Sequence, residues 1–364
     1  MTALEDIIKQ QIRENGPMDM ATYMSLCLGH PEHGYYMTRD PFGEDGDFTT
    51  APEISQMFGE VIGAWLIDAW MKMGSSSPVT LLECGPGRGT LMADILRATK
   101  NVPAFHDAVQ VHMLEMSPVL KALQQKTLDG YDVTWHHDTE SVPTDSPLLI
   151  LGNEFLDALS INQYVFTDTG WAKKVVNLDI NETLCIDKIS IEKEEIKGFP
   201  PSLLPPQIGD YLEVSLEQKR FLYEIIKIMQ KQLCTCLFLD YGFNNSGSAD
   251  TLQAVLNHAY CNILEQPGNA DLTAHVNFGE VARQIMEENL TVHGPVSQGG
   301  FLQRLGIATR ADILKQAGTD QQKEEIDLAL KRLTGQNTDD HEMGALFKVI
   351  AFSSDSLINL EGFA

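Results

Sequence analysis

Short apolar runs alternate with helical patterns between residues 79 and 153, and this alternation constrains the fold more than any other feature. The runs predict strands at 79–84, 109–115, 132–136 and 147–152, with helices at 89–99 and 117–128. The run Pro147–Gly152 is apolar nearly throughout, as is typical of a parallel strand buried on both faces. Strands that alternate with helices predict a parallel sheet with helices on both sides. We therefore expect an α/β fold with a Rossmann-like sheet.

The pattern continues beyond residue 153 but is interrupted twice. Short strands split by polar turns predict a small antiparallel insertion at about 161–210, and 244–275 forms a second long insertion. The apolar run Leu346–Phe352 follows several helices. A late strand of this kind predicts an antiparallel edge strand on an otherwise mostly parallel sheet.

Helical patterns at 4–15, 18–28 and 55–71 precede the first core strand. They predict an N-terminal helical cap over residues 1–75, with a long loop rich in glycine and aromatic residues. Loops of this length are usually functional or disordered, and the aromatic residues of this one argue against disorder. We expect residues 76–364 to form the core, with the two insertions shaping a substrate cleft.

The chain has 364 residues and a formal net charge of −25. Such an acidic surface repels phosphate backbones, so we expect no nucleic-acid partner, whereas a basic protein segment would suit it. Six cysteines without CxxC spacing indicate a reducing compartment and argue against a zinc site, so we predict no metal. We find no signal or transit segment and no apolar run near the roughly 20 residues that span a bilayer. We therefore expect a cytoplasmic protein without membrane insertion.

A glycine-rich turn, Glu83-Cys84-Gly85-Pro86-Gly87-Arg88-Gly89, joins the first core strand to its helix. Glycines there let the backbone pass close to a ligand. A phosphate-binding loop would end in Gly-Lys-Ser/Thr, and a dinucleotide fingerprint would need glycine or alanine where Thr90 stands, so both fit poorly. An acid followed by three alternating glycines is what an S-adenosylmethionine site needs. The alternative is a purely structural turn, since such turns also occur without a ligand.

The second core strand ends at Glu115, and this position supports the cofactor interpretation. In a doubly wound sheet, an acid here meets the ligand's ribose hydroxyls, and an ordinary solvated acid is the alternative. Ser117 and Pro118 are typical of a helix cap and a first helical position. Asp138 follows the third strand, at a position where it could lie at the edge of the adenine.

Six motifs spread over nearly the whole chain match one known family. They are Gly34-Tyr35-Tyr36, Gly46–Glu53, Glu83–Gly89, Asn153–Ala158, Asp271–Val276 and Leu346–Val349. With them the chain resembles the MidA-type S-adenosylmethionine-dependent methyltransferases. Mitochondrial members are arginine methyltransferases that assist respiratory complex I assembly, and this sequence looks like a bacterial member. The resemblance implies S-adenosyl-L-methionine as cofactor, S-adenosyl-L-homocysteine as product and a protein substrate, and it leaves a homodimer open.

The resemblance also implies which residues bind the cofactor. The expected set is Glu83, Gly85, Pro86, Gly87, Gly89, Glu115, Met116, Asp138, Asn153, Thr49, Thr50 and Glu53. Within this set, the segment Gly46–Glu53 would fold over the cofactor, although Asp47–Thr50 could equally be a helix-capping loop before Ser55.

The acceptor site is expected at the carboxyl end of the fourth core strand, where open α/β sheets hold ligands. Carboxylates can hold a guanidinium by paired hydrogen bonds and orient its nitrogen. We expect Glu154 and Asp157 to position the substrate and Asn153 to offer its amide oxygen, although Asp157 could instead cap a following helix. His275 could assist proton removal, or it could be structural.

Together these expectations favour methyl transfer to a protein arginine. The target that the resemblance suggests is a subunit of the NADH–quinone oxidoreductase. One alternative is a methyltransferase for glutamine, oxygen or a small molecule. Another is a non-catalytic assembly factor that keeps the fold, against which the intact glycines and acids argue.

Overall fold

A computed structural model describes residues 2–41, 49–192, 195, 205–244, 250–337, 342–355 and 359–363. The helices are α1 Ala3–Asn15, α2 Met20–Gly29, α3 Tyr35–Thr38, α4 Ala51–Ile54, α5 Gln56–Lys72, α6 Thr90–Thr99, α7 Pro103–His106, α8 Pro118–Thr127, α9 Leu216–Met229, α10 Phe278–Glu287, α11 Gln298–Arg304, α12 Ile307–Ala317 and α13 Asp320–Thr334. The strands are β1 Met18–Asp19, β2 Val79–Cys84, β3 Val109–Leu114, β4 Val133–His136, β5 Leu148–Asn153, β6 Asn162–Thr167, β7 Gly170–Leu178, β8 Leu184–Ser190, β9 Tyr211–Val214, β10 Cys234–Phe243, β11 Gln253–Leu256, β12 Ala259–Cys261, β13 Asp271–Thr273, β14 Val276–Asn277, β15 Thr291–Ser297 and β16 Phe347–Ser353.

The central sheet has the strand order β15-β16-β10-β5-β2-β3-β4, and β14 pairs with β10. The five strands from β10 to β4 are parallel neighbours. These observations confirm the predicted α/β fold with a mostly parallel, Rossmann-like sheet. Among the described residues, no helix combines the length and the apolar character needed to cross a bilayer.

The antiparallel strand is present, but its predicted place at the edge of the sheet is wrong. Strand β16 is antiparallel to both β10 and β15, and it lies between them. The edge belongs to β15, whose residues are half-buried or exposed, whereas β16 is buried at every position except Lys348. A strand with neighbours on both sides and helices on both faces needs a continuous apolar run, and Val349–Phe352 supplies one.

Helices cover the central sheet on both faces. On one face α5 and α6 contribute the fully buried side chains Phe58, Ile62 and Ile95. On the other face α9 and α10 contribute Ile225 and Phe278. Full burial of one such side chain stabilises the fold by about 1.5–3 kcal/mol. The sheet is therefore a firm base for the residues that follow its strands.

The N-terminal helices pack on the insertions rather than on the central sheet. Leu4 and Met24 share one hydrophobic cluster with Val176 of β7 and with Ala254 and Leu272 of the second insertion. The first insertion is the predicted antiparallel sheet, in the order β1-β7-β6-β9 with β8 on β7, and β11, β12 and β13 form a third sheet. Helix α5 precedes residue 75 but packs in the main core. The predicted boundary at residue 75 therefore divides the chain, but it does not divide one hydrophobic core from another.

Candidate cofactor and acceptor site

Three glycines shape the turn between β2 and α6. Gly85, Gly87 and Gly89 have φ angles of 61°, 53° and 82°, a region that side chains with a Cβ atom rarely occupy. A Cβ atom on Gly85 would lie 2.8 Å from the Phe155 ring. The turn closes on itself, since Gly89 N donates to the Pro86 carbonyl at 2.8 Å. The sequence therefore needs glycine here for the backbone path and, at Gly85, for close packing against Phe155, two residues after β5.

Two buried oxygen atoms lie near this turn without a hydrogen-bond donor among the described residues. They are Glu83 Oε2 and Asn153 Oδ1. Both side chains lie on the same face of the sheet, because Glu83 pairs with Leu151, two residues before Asn153. Burial first, and then the charge of Glu115, raise the pKa of Glu83 to about 8. Such acceptor atoms fit a ligand that brings N–H donors and a positive charge, as the ammonium group of S-adenosylmethionine does.

The predicted ribose acid, Glu115, is held in place after β3. Its Oε1 accepts from Ser117 N at 2.7 Å, and its Oε2 accepts from Gln124 Nε2 at 2.9 Å. The same Gln124 nitrogen donates to the Gly87 carbonyl at 2.8 Å. Gln124 is fully buried and ties the acid to the glycine turn, a link that no sequence motif indicated. The predicted cap is confirmed, since Ser117 Oγ accepts from Leu120 N at 3.1 Å with Pro118 opening α8.

Met116 and Asp138 lie at the same carboxyl edge of the sheet but differ in surroundings. The Met116 side chain is 58% exposed, an unusual state for a large apolar group, and it directly follows Glu115, the predicted ribose acid. The exposed Asp138 carboxylate accepts from Ser141 N at 2.9 Å, within its own turn. Their contacts to the cofactor remain predictions.

The segment before α5 packs against the glycine turn. Glu53 Oε1 accepts from Thr90 Oγ1 at 2.5 Å, and Glu53 Oε2 lies 3.8 Å from an Arg88 guanidinium nitrogen. Thr50 is buried and Thr49 half-buried beside it. Residues 42–48, which include Gly46–Phe48 of the predicted cover, lie outside the described residues.

The corner after β5 has an unusual backbone. Glu154 has a φ angle of 52°, and the next three backbone N–H groups, from Phe155 to Asp157, all donate to Asp240 Oδ2, at 3.1, 2.8 and 3.2 Å. Asp240 is fully buried at the point where β10 runs beside β5. Burial and the charges of Asp157 and Glu154 raise the pKa of Asp240, whereas the donated N–H groups favour its ionised form. Asp240 thus fixes the turn that presents Glu154 and Asp157, and the sequence analysis missed it.

Both predicted acceptor carboxylates lie in this corner. Glu154 Oε1 accepts from Ala51 N at 3.1 Å and from Asn153 Nδ2 at 3.0 Å. Desolvation and the charge of Asp157 outweigh these hydrogen bonds and raise the pKa of Glu154 to about 7. Burial raises the pKa of Asp157 to about 6, although the Tyr241 hydroxyl donates to it.

The alternative role for Asp157, as the cap of a following helix, is wrong. Residues 158–161 are all described, and they form a turn that leads into β6 at Asn162 rather than a helix.

His275 lies next to this corner but contacts Tyr241. The two rings meet edge to face, with centroids 5.3 Å apart. Burial and the charge of Lys348 lower the pKa of His275, so its imidazole is neutral at pH 7. Because Tyr241 donates to Asp157, the histidine is linked to the acceptor corner through the tyrosine.

The fold and the site define a class, the Rossmann-like methyltransferases that use S-adenosylmethionine. A family model described as "Putative S-adenosyl-L-methionine-dependent methyltransferase" matches residues 61–296, and the chain belongs to this family. Its cofactor is S-adenosyl-L-methionine. The resemblance to MidA-type enzymes is confirmed.

Named relatives extend over most of the chain. The mitochondrial protein arginine methyltransferase NDUFAF7 homolog of Drosophila melanogaster is 35% identical over 94% of this chain and 83% of its own length. The Caenorhabditis elegans homolog is 32% identical over 97% of this chain and 87% of its own length. The Homo sapiens protein arginine methyltransferase NDUFAF7 is 32% identical over 84% of this chain and 73% of its own length.

A solved structure shares the fold. A Burkholderia thailandensis protein bound to S-adenosyl-homocysteine superposes with a TM-score of 0.85 at 24% identity, covering 99% of this chain and 94% of that chain. A second structure from the same organism gives 0.82 at 25% identity, covering 100% and 94%.

Proposed function

We propose that this enzyme is a protein arginine N-methyltransferase and that its target is a subunit of the NADH–quinone oxidoreductase. The observation that carries the arginine assignment is the pair of desolvated carboxylates, Glu154 and Asp157, at the corner next to the cofactor turn. A bacterial cytoplasmic location and the option of a homodimer belong to the same proposal.

The cofactor residues follow from the geometry of the turn. Glu83 and Asn153 would accept the ammonium hydrogens, and Glu115 would accept the ribose hydroxyls, because each places a carboxylate or amide oxygen at the sheet edge. When bound, the cofactor supplies an electrophilic methyl group on a sulfonium. Glu53 and Arg88 would hold residues 49–53 against the turn.

The acceptor residues bind and orient a guanidinium. Glu154 and Asp157 offer carboxylate oxygens that can take its N–H groups pairwise, and such charge-assisted pairs fix the plane of the group. Transfer to nitrogen also requires the loss of one proton. With a pKa of about 7, Glu154 is suited to receive that proton near neutral pH. Orienting the nitrogen and excluding water are the main contributions a protein makes to such a displacement.

Labelling with mass spectrometry tests the proposal. The purified enzyme is incubated with methyl-labelled S-adenosylmethionine and purified NADH–quinone oxidoreductase subunits, and labelled residues are located by tandem mass spectrometry. We expect label on arginine with the wild-type enzyme and with Glu324→Gln, a matched change of an exposed acid on α13. Glu154→Gln should give none. Label on another residue type, or none with the wild-type enzyme, contradicts the arginine assignment.

A further inference from the structure

A short N-terminal helix, α3, carries a tyrosine that reaches into the acceptor corner. The Tyr36 hydroxyl donates to Asp271 Oδ1 at 2.9 Å. Asp271 belongs to β13 of the second insertion and is only 4% exposed. Burial first, and then the charges of Asp271 and Asp157, raise the pKa of Tyr36 well above its ordinary value. The phenol therefore stays protonated and donates, which keeps a hydrogen-bonded carboxylate in a fixed orientation.

The backbone of the same tyrosine anchors the cofactor side. Ser117 Oγ donates to the Tyr36 carbonyl at 2.6 Å, and Ser117 N donates to the ribose acid Glu115 at 2.7 Å. The Tyr36 main chain thus contacts Ser117, close to the ribose acid Glu115. The Tyr36 side chain contacts Asp271 on the acceptor side. The two contacts can be separated by substitution, because phenylalanine keeps the carbonyl and loses only the hydroxyl.

Asp271 lies on the strand that lines the acceptor corner. It shares one face of β13 with Thr273, whose side chain is hydrogen-bonded to the Tyr241 hydroxyl. That hydroxyl in turn donates to Asp157. The next residue of the insertion, Ala274, donates its N–H to the Asp157 carbonyl at 3.1 Å. Asp157 and Asp271 are therefore connected through Tyr241 and this strand.

The described cations near the corner do not pair with Glu154 or Asp157. Among the described residues, no lysine or arginine forms an ion pair with Glu154 or Asp157 within 4.0 Å. Arg332 acts on Glu154 from a distance, and Lys348 is directed to the carbonyls of Ala345 and Leu346. A third carboxylate in such surroundings favours a cationic acceptor over a neutral amide or hydroxyl.

We propose that Asp271 is a third acceptor-binding carboxylate and that Tyr36 is the positioning residue that orients it. This inference rests on the proposed arginine methyltransferase function and narrows its substrate class to cationic side chains. A guanidinium presents five N–H groups, and two carboxylates that each accept a pair leave one for a third acceptor. Asp271 accepts this fifth N–H group, and the hydrogen bond from Tyr36 fixes the direction of the Asp271 oxygens.

The test compares Tyr36→Phe and Asp271→Asn with a matched tyrosine variant. Tyr23→Phe is the control, because Tyr23 is also a buried phenol of the N-terminal helices, but it donates to the Ile263 carbonyl at 2.7 Å. Acceptor KM, cofactor KM and S-adenosyl-homocysteine Kd are measured with the oxidoreductase subunit that the wild-type enzyme labels. For Tyr36→Phe we expect the acceptor KM to rise about tenfold, as for the loss of a hydrogen bond to a charged group. The cofactor KM and Kd should not change.

The remaining outcomes are distinct. Asp271→Asn should raise the acceptor KM at least as much as Tyr36→Phe, and Tyr23→Phe should leave both KM values unchanged. If wild-type enzyme labels arginine but Tyr36→Phe and Asp271→Asn behave like Tyr23→Phe, the inference alone is refuted. It is also refuted if Tyr36→Phe weakens cofactor binding as much as acceptor binding, since that result indicates a general structural role. If the wild-type enzyme labels no arginine, the proposed function fails and this inference falls with it.

Discussion

We predict that the buried carboxylate Glu83 makes cofactor binding depend on pH. It is only 2% exposed, and its pKa in the free protein is raised to about 8, mainly by burial. At pH 7 the group is therefore mostly protonated. A ligand ammonium group stabilises the ionised form, so binding must release a proton.

The size of the effect follows from this pKa. If only the ionised form accepts the ammonium group, the Kd for S-adenosyl-homocysteine rises about 50-fold between pH 8 and pH 6. At pH 7 each binding event releases about 0.9 proton. Glu83→Gln removes the titrating group, so its Kd should be weaker at pH 8 and nearly independent of pH.

Calorimetry measures both quantities. Titrations with S-adenosyl-homocysteine in buffers of different ionisation enthalpy give the Kd and the number of protons released. Glu154→Gln is the matched control, because Glu154 also titrates near neutral pH but lies in the acceptor corner, and its variant should keep the wild-type slope. A wild-type Kd that is constant from pH 6 to pH 8, or a Glu83→Gln variant with the wild-type slope, refutes the assignment of Glu83.

Stability without ligand provides an independent readout of the same group. Because the pKa of Glu83 is higher in the folded than in the unfolded chain, the protonated carboxyl contributes stability at low pH, and this contribution is lost as the pH rises through about 8. Glu83→Gln cannot ionise. Its melting temperature should exceed that of the wild-type protein above pH 8, while its affinity for the cofactor product is lower. A lower melting temperature at that pH contradicts the reasoning.

Three further substitutions test other parts of the site. Glu154→Gln should abolish methyl transfer and spare S-adenosyl-homocysteine binding. The wild-type rate should fall as the pH drops below about 7, because protonated Glu154 cannot accept a proton. An unchanged rate in the variant would show that Glu154 does not have this role. Gly85→Ala should lower the free energy of unfolding by about 1–3 kcal/mol and weaken cofactor binding, since φ is 61° and Phe155 is in the way. Its control is Gly130→Ala, with φ of 89° and open space around it, and equal losses in both would exclude the Phe155 contact. Asp240→Ala should cost about 1–3 kcal/mol in urea unfolding, because three buried backbone N–H groups lose their acceptor, and an unchanged midpoint would argue against that support.

Local sequence patterns predicted the parts of the site that depend on residues close together in the chain. The turn at Gly85–Gly89, the acid Glu115 and the cap Ser117 each depend on a short run of residues whose backbone requirements are visible in the sequence. The apolar runs also gave the strands of the central sheet close to their observed bounds. Predicting these features does not require knowing which distant segments pack against them.

Parts that depend on contacts between distant segments were missed. Nothing in the local sequence marks Asp240, because its N–H donors come from the distant residues 155–157. Nothing in the local sequence marks Gln124 either, yet it is fully buried and bonded to both the glycine turn and Trp135 of β4. The place of β16 in the sheet could have been found, since an edge strand rarely needs so continuous an apolar run as Val349–Phe352.

The position of β16 also has a consequence for synthesis on the ribosome. Strands β10 and β15 are both translated before Phe347, yet β16 lies between them and pairs with each along most of its length. Until β16 leaves the exit tunnel, one side of β10 is unpaired. Over the same interval β15 lacks β16, its only partner in the sheet among the described strands. Unpaired strand edges invite association with other chains. The nascent enzyme is therefore most exposed to chaperones and to aggregation in the interval between translation of α13 and emergence of its last core strand.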